Sequence, residues 1–250
     1  MDFDVGAGGF DPTPNHEYLA FPAGGDRHER CRRLRVMEIG AHVGIDWGLL
    51  ETVDEAARAR GIIGLDSPWA RLFQGAMEDS YRELTVEFIA SFVFTPHPAD
   101  YVEDPDHPQH EITFRLAGQE FGMSLRQFAV HAGLYTPPEL DTDLYTQGER
   151  AMDRQVLISF WRAIARVPFG KSSQKASTIR DPLYRYLHRI IASSIVPRYH
   201  SRDKVNKGDL FFLYCLLRPH PCQLAHCLAE YYASAYHKQE RGRLFGGCYV

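Results

Sequence analysis

No apolar run in the chain approaches the roughly 20 residues that cross a bilayer, so neither a transmembrane segment nor a membrane partner is expected. The first ten residues hold aspartates and glycines where a secretory leader needs a basic and then an apolar stretch, so nothing directs the chain to export. Cysteine is scarce. The five cysteines are an odd number, and four of them fall in the last 36 residues, which is no disulfide framework and points to a reducing compartment. The short signatures of common catalysis are missing too: there is no phosphate loop, no Gly-x-Ser-x-Gly elbow and no zinc-protease helix. Gly6-Ala7-Gly8-Gly9 follows no strand and reads as a flexible end, not a dinucleotide loop. With 20 glycines and 15 prolines among 250 residues, 44% of them hydrophobic, collagen-like and wholly disordered classes are excluded.

What is present is charge, unevenly placed. The chain has 28 Lys and Arg against 32 Asp and Glu, a net charge of -4. Met1 to Gly170 holds 15 basic and 27 acidic residues (-12), whereas Lys171 to Val250 holds 13 and 5 (+8). Either the two parts attract each other, or the basic one meets a polyanion.

Residues 1–26 have too few apolar side chains to offset ordering entropy and are expected to form a disordered lead. The arginines 27, 30, 32, 33 and 35 make either a nuclear-import or phosphate-contacting patch or a solvated helix face. Residues 27–170 read as an acidic helical part. It contains a helix with a Thr52/Glu55 capping box ending at Gly61, a helix capped by Ser67 with Pro68 in its first turn, and an ambiguous run from Leu84 to Phe94 for which helix is preferred. The period then changes to two. Ile112, Phe114 and Leu116 alternate with polar residues, Gly118-Gln119 offers a glycine-first turn, and Phe121 and Met123 alternate on the return, so a small hairpin is expected near 111–124. Ser124 with Gln127 opens the next helix, Pro137-Pro138 with Glu139 to Asp143 forms a break, and Asp153 to Arg166 is helical with Leu157, Phe160, Trp161 and Ile164 inward.

Gly170 to Thr178 reads as a linker. Residues 171–250 form a basic helical part, with helices capped by Asp181-Pro182 and by Asn206/Asp209, and a last long helix begun by Pro221. The expected fold is mainly α-helical, of the α+β class, with one embedded hairpin and both parts packed as one globule. The apolar ending Cys248-Tyr249-Val250 is expected to mark a truncation within a larger reading frame.

Two constellations carry possible chemistry. Lys171, Lys175, Arg180, Arg185, Arg189, Arg198, Arg202, Lys204 and Lys207 set nine cations against Asp181, Asp203 and Asp209, with Tyr184 and Tyr199 among them as stacking partners; clustered cations release counterions on meeting phosphates. The alternative is a solvated surface neutralised by the acidic part. Cys215, His220, Cys222, His226 and Cys227 supply zinc's preferred donors, and Cys222 and His226 share a helix face, but the spacing is irregular and Cys215 and Cys227 also fit buried apolar stripes. Tyr231, Tyr232 and Tyr236 form either an aromatic contact surface or plain core packing. No cofactor and no small-molecule substrate is inferred.

The block from Glu111 to Tyr135, the block Ile179-Arg-Asp-Pro-Leu-Tyr-Arg-Tyr-Leu-His-Arg-Ile-Ile-Ala192 and the following Lys207-Gly-Asp-Leu-Phe-Phe-Leu-Tyr214 resemble the first-open-reading-frame protein of plant Athila-type long-terminal-repeat retrotransposons. The likeness covers most of Val86 to Tyr232. More distantly, the first block is similar to the plant mobile domain. The resemblance implies an element-encoded protein of particle or complex assembly in nucleus or cytoplasm. The basic stripe adds RNA or DNA as partners, and helical faces with the hairpin edge add self-association or a host protein. It brings no catalytic residue set. An element-encoded enzyme would need metal-binding or water-activating acids, yet Asp141-Thr142-Asp143 and Asp66-Ser67-Pro68 lack the glycine of an aspartic-protease loop, and no paired-aspartate polymerase turn occurs. The expectation is therefore a non-catalytic assembly or interaction protein. The alternatives are a nuclear, mobile-domain-like factor acting on nucleic acid and an uncharacterised enzyme.

Overall fold

The fold follows from where apolar stripes, caps and turns place one shared core. A computed structural model describes residues 16–40, 42–98, 101, 109–170, 174–195, 197, 201–238 and 243–250, the side chains of 236–238 excepted. Among them it has eleven α-helices, and the fold is mainly α with a small antiparallel sheet. In chain order these are α1 (Asp26–Leu34), β1 (Glu38–Ile39), α2 (Trp47–Thr52), α3 (Ala56–Ile63), α4 (Pro68–Gly75), α5 (Arg82–Ser91), β2 (Val93–Phe94), β3 (Ile112–Leu116), β4 (Gln119–Met123), α6 (Leu125–His131), α7 (Asp143–Thr146), α8 (Arg154–Ile164), α9 (Pro182–Ser194), α10 (Lys207–Leu217), α11 (Leu224–Lys238) and β5 (Arg243–Leu244).

Local chemistry sets most helix starts. The Ser67 hydroxyl accepts from Ala70 N at 3.1 Å with Pro68 in the first turn. Reciprocal capping boxes join Ser124 to Gln127 and Asn206 to Asp209. The Asp181 carboxylate accepts from Leu183 N and Tyr184 N ahead of Pro182. Four details depart from the sequence reading. Thr52 caps no helix: it ends α2, which Asp46 caps, and turns its hydroxyl onto Gly48 O, and after a break at Asp54 the expected helix begins as α3 at Ala56, behind Glu55 and without a side-chain cap. The second of the pair runs past Gly61 and stops at Gly64, whose φ of 77° is the left-handed conformation that glycine tolerates. Pro137–Asp141 coils into a 3-10 turn, because Thr136 and Glu139 form a capping box of their own, and α7 follows. The last helix starts at Leu224, because Pro221 O is taken by Glu149 N.

The hairpin forms with a register one residue from that expected. Leu116 pairs with Gln119, so Ala117 and Gly118 are the turn, both at positive φ (50° and 77°), which makes glycine second and not first. A third strand, β2, lies antiparallel along β3, giving the order β2-β3-β4. The short hairpin gains its support from helices, as a two-stranded unit alone is marginal in water. Phe88 of α5, Phe92 just past its end, Phe114 of β3, Phe128 of α6 and Tyr232 of α11 meet in one aromatic cluster, with Phe88 4.8 Å from Phe114 and 5.0 Å from Tyr232.

The core does not divide near Gly170. One continuous cluster of buried side chains runs from Leu19 through Trp161 and Leu187 to Phe245. The expected disordered lead is corrected for its last residues. Residues 1–15 lie outside the described set, but Leu19 and Phe21 are buried, and Arg115 clamps this segment by donating to Tyr18 O and Ala20 O with its guanidinium 3.6 Å over the Phe21 ring. Arg115 itself is held by Glu87, fully buried on α5, at 2.7 Å. At the other end, β5 pairs parallel with β1, and Leu244 and Phe245 are buried.

Candidate nucleic-acid interface

Three backbone segments converge on one cation-rich surface. At the end of α8, Arg166 N donates to Thr178 O and Arg180 N donates to Ile164 O, which ties the segment 174–180 to that helix. The same segment is tied on its other side to the approach to α10: Val205 N donates to Gln174 O and Ala176 N to Asp203 O. Between those bonds Lys175 and Lys204 stand directly opposite each other as an isolated antiparallel bridge. Opposed residues of an antiparallel pair share a face with Cβ atoms about 5 Å apart, and like charges placed so are unfavourable. What was expected to be a linker is therefore, over its described residues, a fixed cross-brace.

The same segments carry Arg162 in the last turn of α8, Arg166 two residues past its end, Arg180, whose guanidinium donates to Ala163 O at 3.0 Å, and Lys207 in the first turn of α10, all exposed. Among the described residues no carboxylate forms an ion pair with Arg162, Arg166, Lys175, Arg180 or Lys207. The acids that might have offset them are turned elsewhere. Asp181 caps α9 and pairs with Arg58. Asp209 is fully buried, closes the cap of α10 and faces the buried His188 at 3.4 Å. Asp203 alone of the three is exposed.

The other members of the cation list sit differently. Arg185 is half-buried and donates to Ile179 O at 2.9 Å, a structural bond, and Arg189 is exposed a turn further along α9. Arg202 is half-buried. Lys171, Arg198 and Tyr199 lie outside the described residues. Tyr184 does not stand free for stacking: the Arg58 guanidinium lies 5.2 Å from its ring centre. Arg162 and Arg166 were missed by sequence reasoning because they belong to the part with net negative charge, although Arg162, on the polar face of α8, was a usable signal; Arg166 follows the helix end at Ile164, two residues short of the expected one.

The cysteine and histidine cluster does not close on a common point. Cys215, Cys222 and Cys227 are buried and associate with one another, and burial first, then the neighbouring thiols, pushes the Cys222 thiol well above its ordinary range. The histidines point away to carboxylates, His220 Nε2 to Glu149 at 3.2 Å and His226 Nε2 to Glu230 at 3.3 Å. Among the described residues no group of three or more His, Cys, Asp and Glu side chains is arranged to hold a metal ion. A small pocket of about 160 Å³ opens beside these thiols, walled by Ile62, Trp69, Tyr135, Leu144 and Pro219 with Cys215, His220 and Cys222, and no carboxylate lines it. The aromatic surface considered for partner contact is interior instead: Tyr231 and Tyr232 are buried, the Tyr232 hydroxyl donates to Gly246 O, and the Tyr236 side chain lies outside the described set.

No curated protein and no solved structure matches the chain. The family model described as the ATHILA ORF-1 family does match, over residues 67–218, from the Ser67 cap of α4 to the Arg218 cap of α10 and so across the whole cationic surface. With well over half of its length in that match, the chain belongs to the ATHILA ORF-1 family, a retrotransposon-encoded protein of mainly helical fold.

Proposed function

We infer that the chain is a non-catalytic interaction protein of its element and that it contacts nucleic acid through the surface formed by Arg162, Arg166, Lys175, Arg180, Lys204 and Lys207. The observation that carries this reading is the opposed Lys175 and Lys204 pair on segments bonded to the end of α8 and leading into α10, with Asp181 and Asp209 of the same stretch engaged elsewhere. A surface shaped for solubility alone interleaves both signs. A surface that meets phosphates concentrates one sign, because each neutralised phosphate releases counterions.

Filter retention of labelled RNA and DNA at rising salt tests the reading. Retention that falls steeply as salt is raised is expected, and no salt-sensitive retention of either polymer removes it. Contact between copies of the chain has its own observation. β4 is the outer strand of the sheet, its residues 119–122 are exposed, and Glu120 and Gly122 present their backbone groups away from β3, so a second antiparallel β4 can pair with it symmetrically. Light scattering over a concentration series should show self-association, and a strictly monomeric result rejects it.

A further inference from the structure

We propose that this cationic surface engages the phosphate rails of a double helix and not the bases of a single strand. The proposal rests on the nucleic-acid reading above and specifies the polymer.

Two terms decide between the polymers. Duplex presents one charge per about 1.7 Å of axis and single strands fewer, so a purely electrostatic surface releases more counterions on duplex. Single-strand binders reverse that order by stacking bases on aromatic rings, each stacked base strengthening binding by roughly 5- to 150-fold. The described aromatic side chains near this surface are committed elsewhere. Tyr184 lies under Arg58, and the Tyr186 hydroxyl accepts from Asp46 N at 2.7 Å. Trp161 is fully buried and donates to Val167 O, and Phe169 is set edge-on to it. Without a stacking platform among the described residues the counterion term prevails.

Rigidity points the same way. Arg166, Lys175, Arg180 and Lys204 sit on segments joined by backbone hydrogen bonds of 2.6–2.9 Å, and Lys207 is fixed by the capped start of α10. A fixed array of charges suits a stiff polymer whose phosphates are already in place, whereas a flexible strand loses conformational freedom in fitting it.

Fluorescence anisotropy of the full chain with labelled DNA and RNA, each offered as duplex and as its isolated strand, tests the proposal. If about four of the cations reach phosphates, log affinity falls with log salt at a slope near -3.6 for duplex and about -2.8 for single strand, a loss of about 150-fold against about 50-fold between about 50 and 200 mM salt. Duplex of either sugar binding more tightly than its own strand, with the steeper slope, is the expected result, and the DNA and RNA arms identify which duplex is preferred. Lys175→Gln and Lys207→Gln, both at exposed positions, should each lower the duplex slope by about 1, while Arg154→Gln, at the far end of α8, leaves it unchanged. A single strand that binds as tightly as its duplex, or a duplex slope untouched by both lysine substitutions, overturns the proposal while leaving nucleic-acid contact standing. Absence of binding to all four polymers removes both.

Discussion

Acidification should weaken this fold through one side chain, His42, by an amount that its surroundings set. The His42 Nε2 accepts from Gly246 N at 2.8 Å, its Nδ1 is shielded from solvent, and its ring stands edge-on to Phe245 and Tyr249 at 5.7 and 5.8 Å. It thereby clasps the β5 segment against the chain that follows β1. Burial pushes the imidazole down from 6.5 to about 4 against an opposing backbone contact from Ser193, and the Arg202 guanidinium adds to the depression. The folded state therefore holds this ring neutral. Between pH 6.5 and 4 the unfolded chain binds the extra proton, so stability is fully present above about 6.5 and is lost as pH falls toward 4. At 1.36 kcal/mol per unit, the shift of about 2.5 units is worth about 3 kcal/mol, an upper figure because the residue is partly exposed. That is a large share of a typical stability of about 5–15 kcal/mol. Urea unfolding followed by tryptophan fluorescence across this range, for the native chain and for His42→Gln, isolates the contribution. Glutamine keeps an acceptor for Gly246 N and cannot titrate, so the native chain's advantage should shrink steadily with acid. Parallel losses in the two proteins would refute the reasoning.

Other perturbations follow from single contacts. Glu87→Ala strips a fully buried carboxylate from Arg115 and Gly118 N and should cost about 3–5 kcal/mol in chemical unfolding, because the guanidinium stays behind uncompensated; a loss under about 1 kcal/mol contradicts a buried pair. Asp181→Ala removes the cap of α9 together with the partner of Arg58 and should cost about 1–2 kcal/mol, and an unchanged urea midpoint shows the cap to be idle. A strong chelator should leave the thermal midpoint where it is, since the histidines near Cys222 face carboxylates; a fall in the midpoint would reveal a structural metal. Alkylation of Cys222 in the native state should be far slower than in urea, as burial keeps the thiol protonated, and equal rates would show that the thiol cluster is open.

What could be read from the residues was the short-range chemistry. The caps at Ser67, Ser124, Asp181 and Asn206 were legible because a side chain and the amides it satisfies lie within three residues of one another. The inward faces of α8 and α9 were legible from the helical period alone. The misreadings arise where two local solutions compete or a distant segment decides. Thr52 is a competent cap by type, but α2 runs up to it from Asp46, whose backbone amide meets Tyr186, 140 residues away, and its hydroxyl bonds back to Gly48 O. Gly118 tolerates either turn position, and Leu116 pairing with Gln119 selects the second. Leu19 and Phe21 look too sparse to order a segment until Arg115 and the sheet are in place. No pattern in the lysine-rich stretch announces that residues 175 and 204 oppose each other, because that pairing depends on how α8 and α10 pack.

The charge split along the chain shows why a running sum is a poor guide to a surface. The acidic and basic parts do attract each other, but through a few specific pairs. One of these, Arg58 with Asp181, runs against the sum, the cation coming from the acidic part and the anion from the basic one. Glu38 with Arg243 and Glu149 with His220 run with it. These pairs take neither Lys175 nor Arg162 and Arg166, the last two being exposed cations contributed by the nominally acidic part. Neutralisation within the fold and a surplus of cations at one place are thus compatible, since Coulomb terms between exposed groups fade beyond about 8–10 Å at ordinary salt. An approaching polyanion responds to the local surplus and not to the net charge of 80 residues.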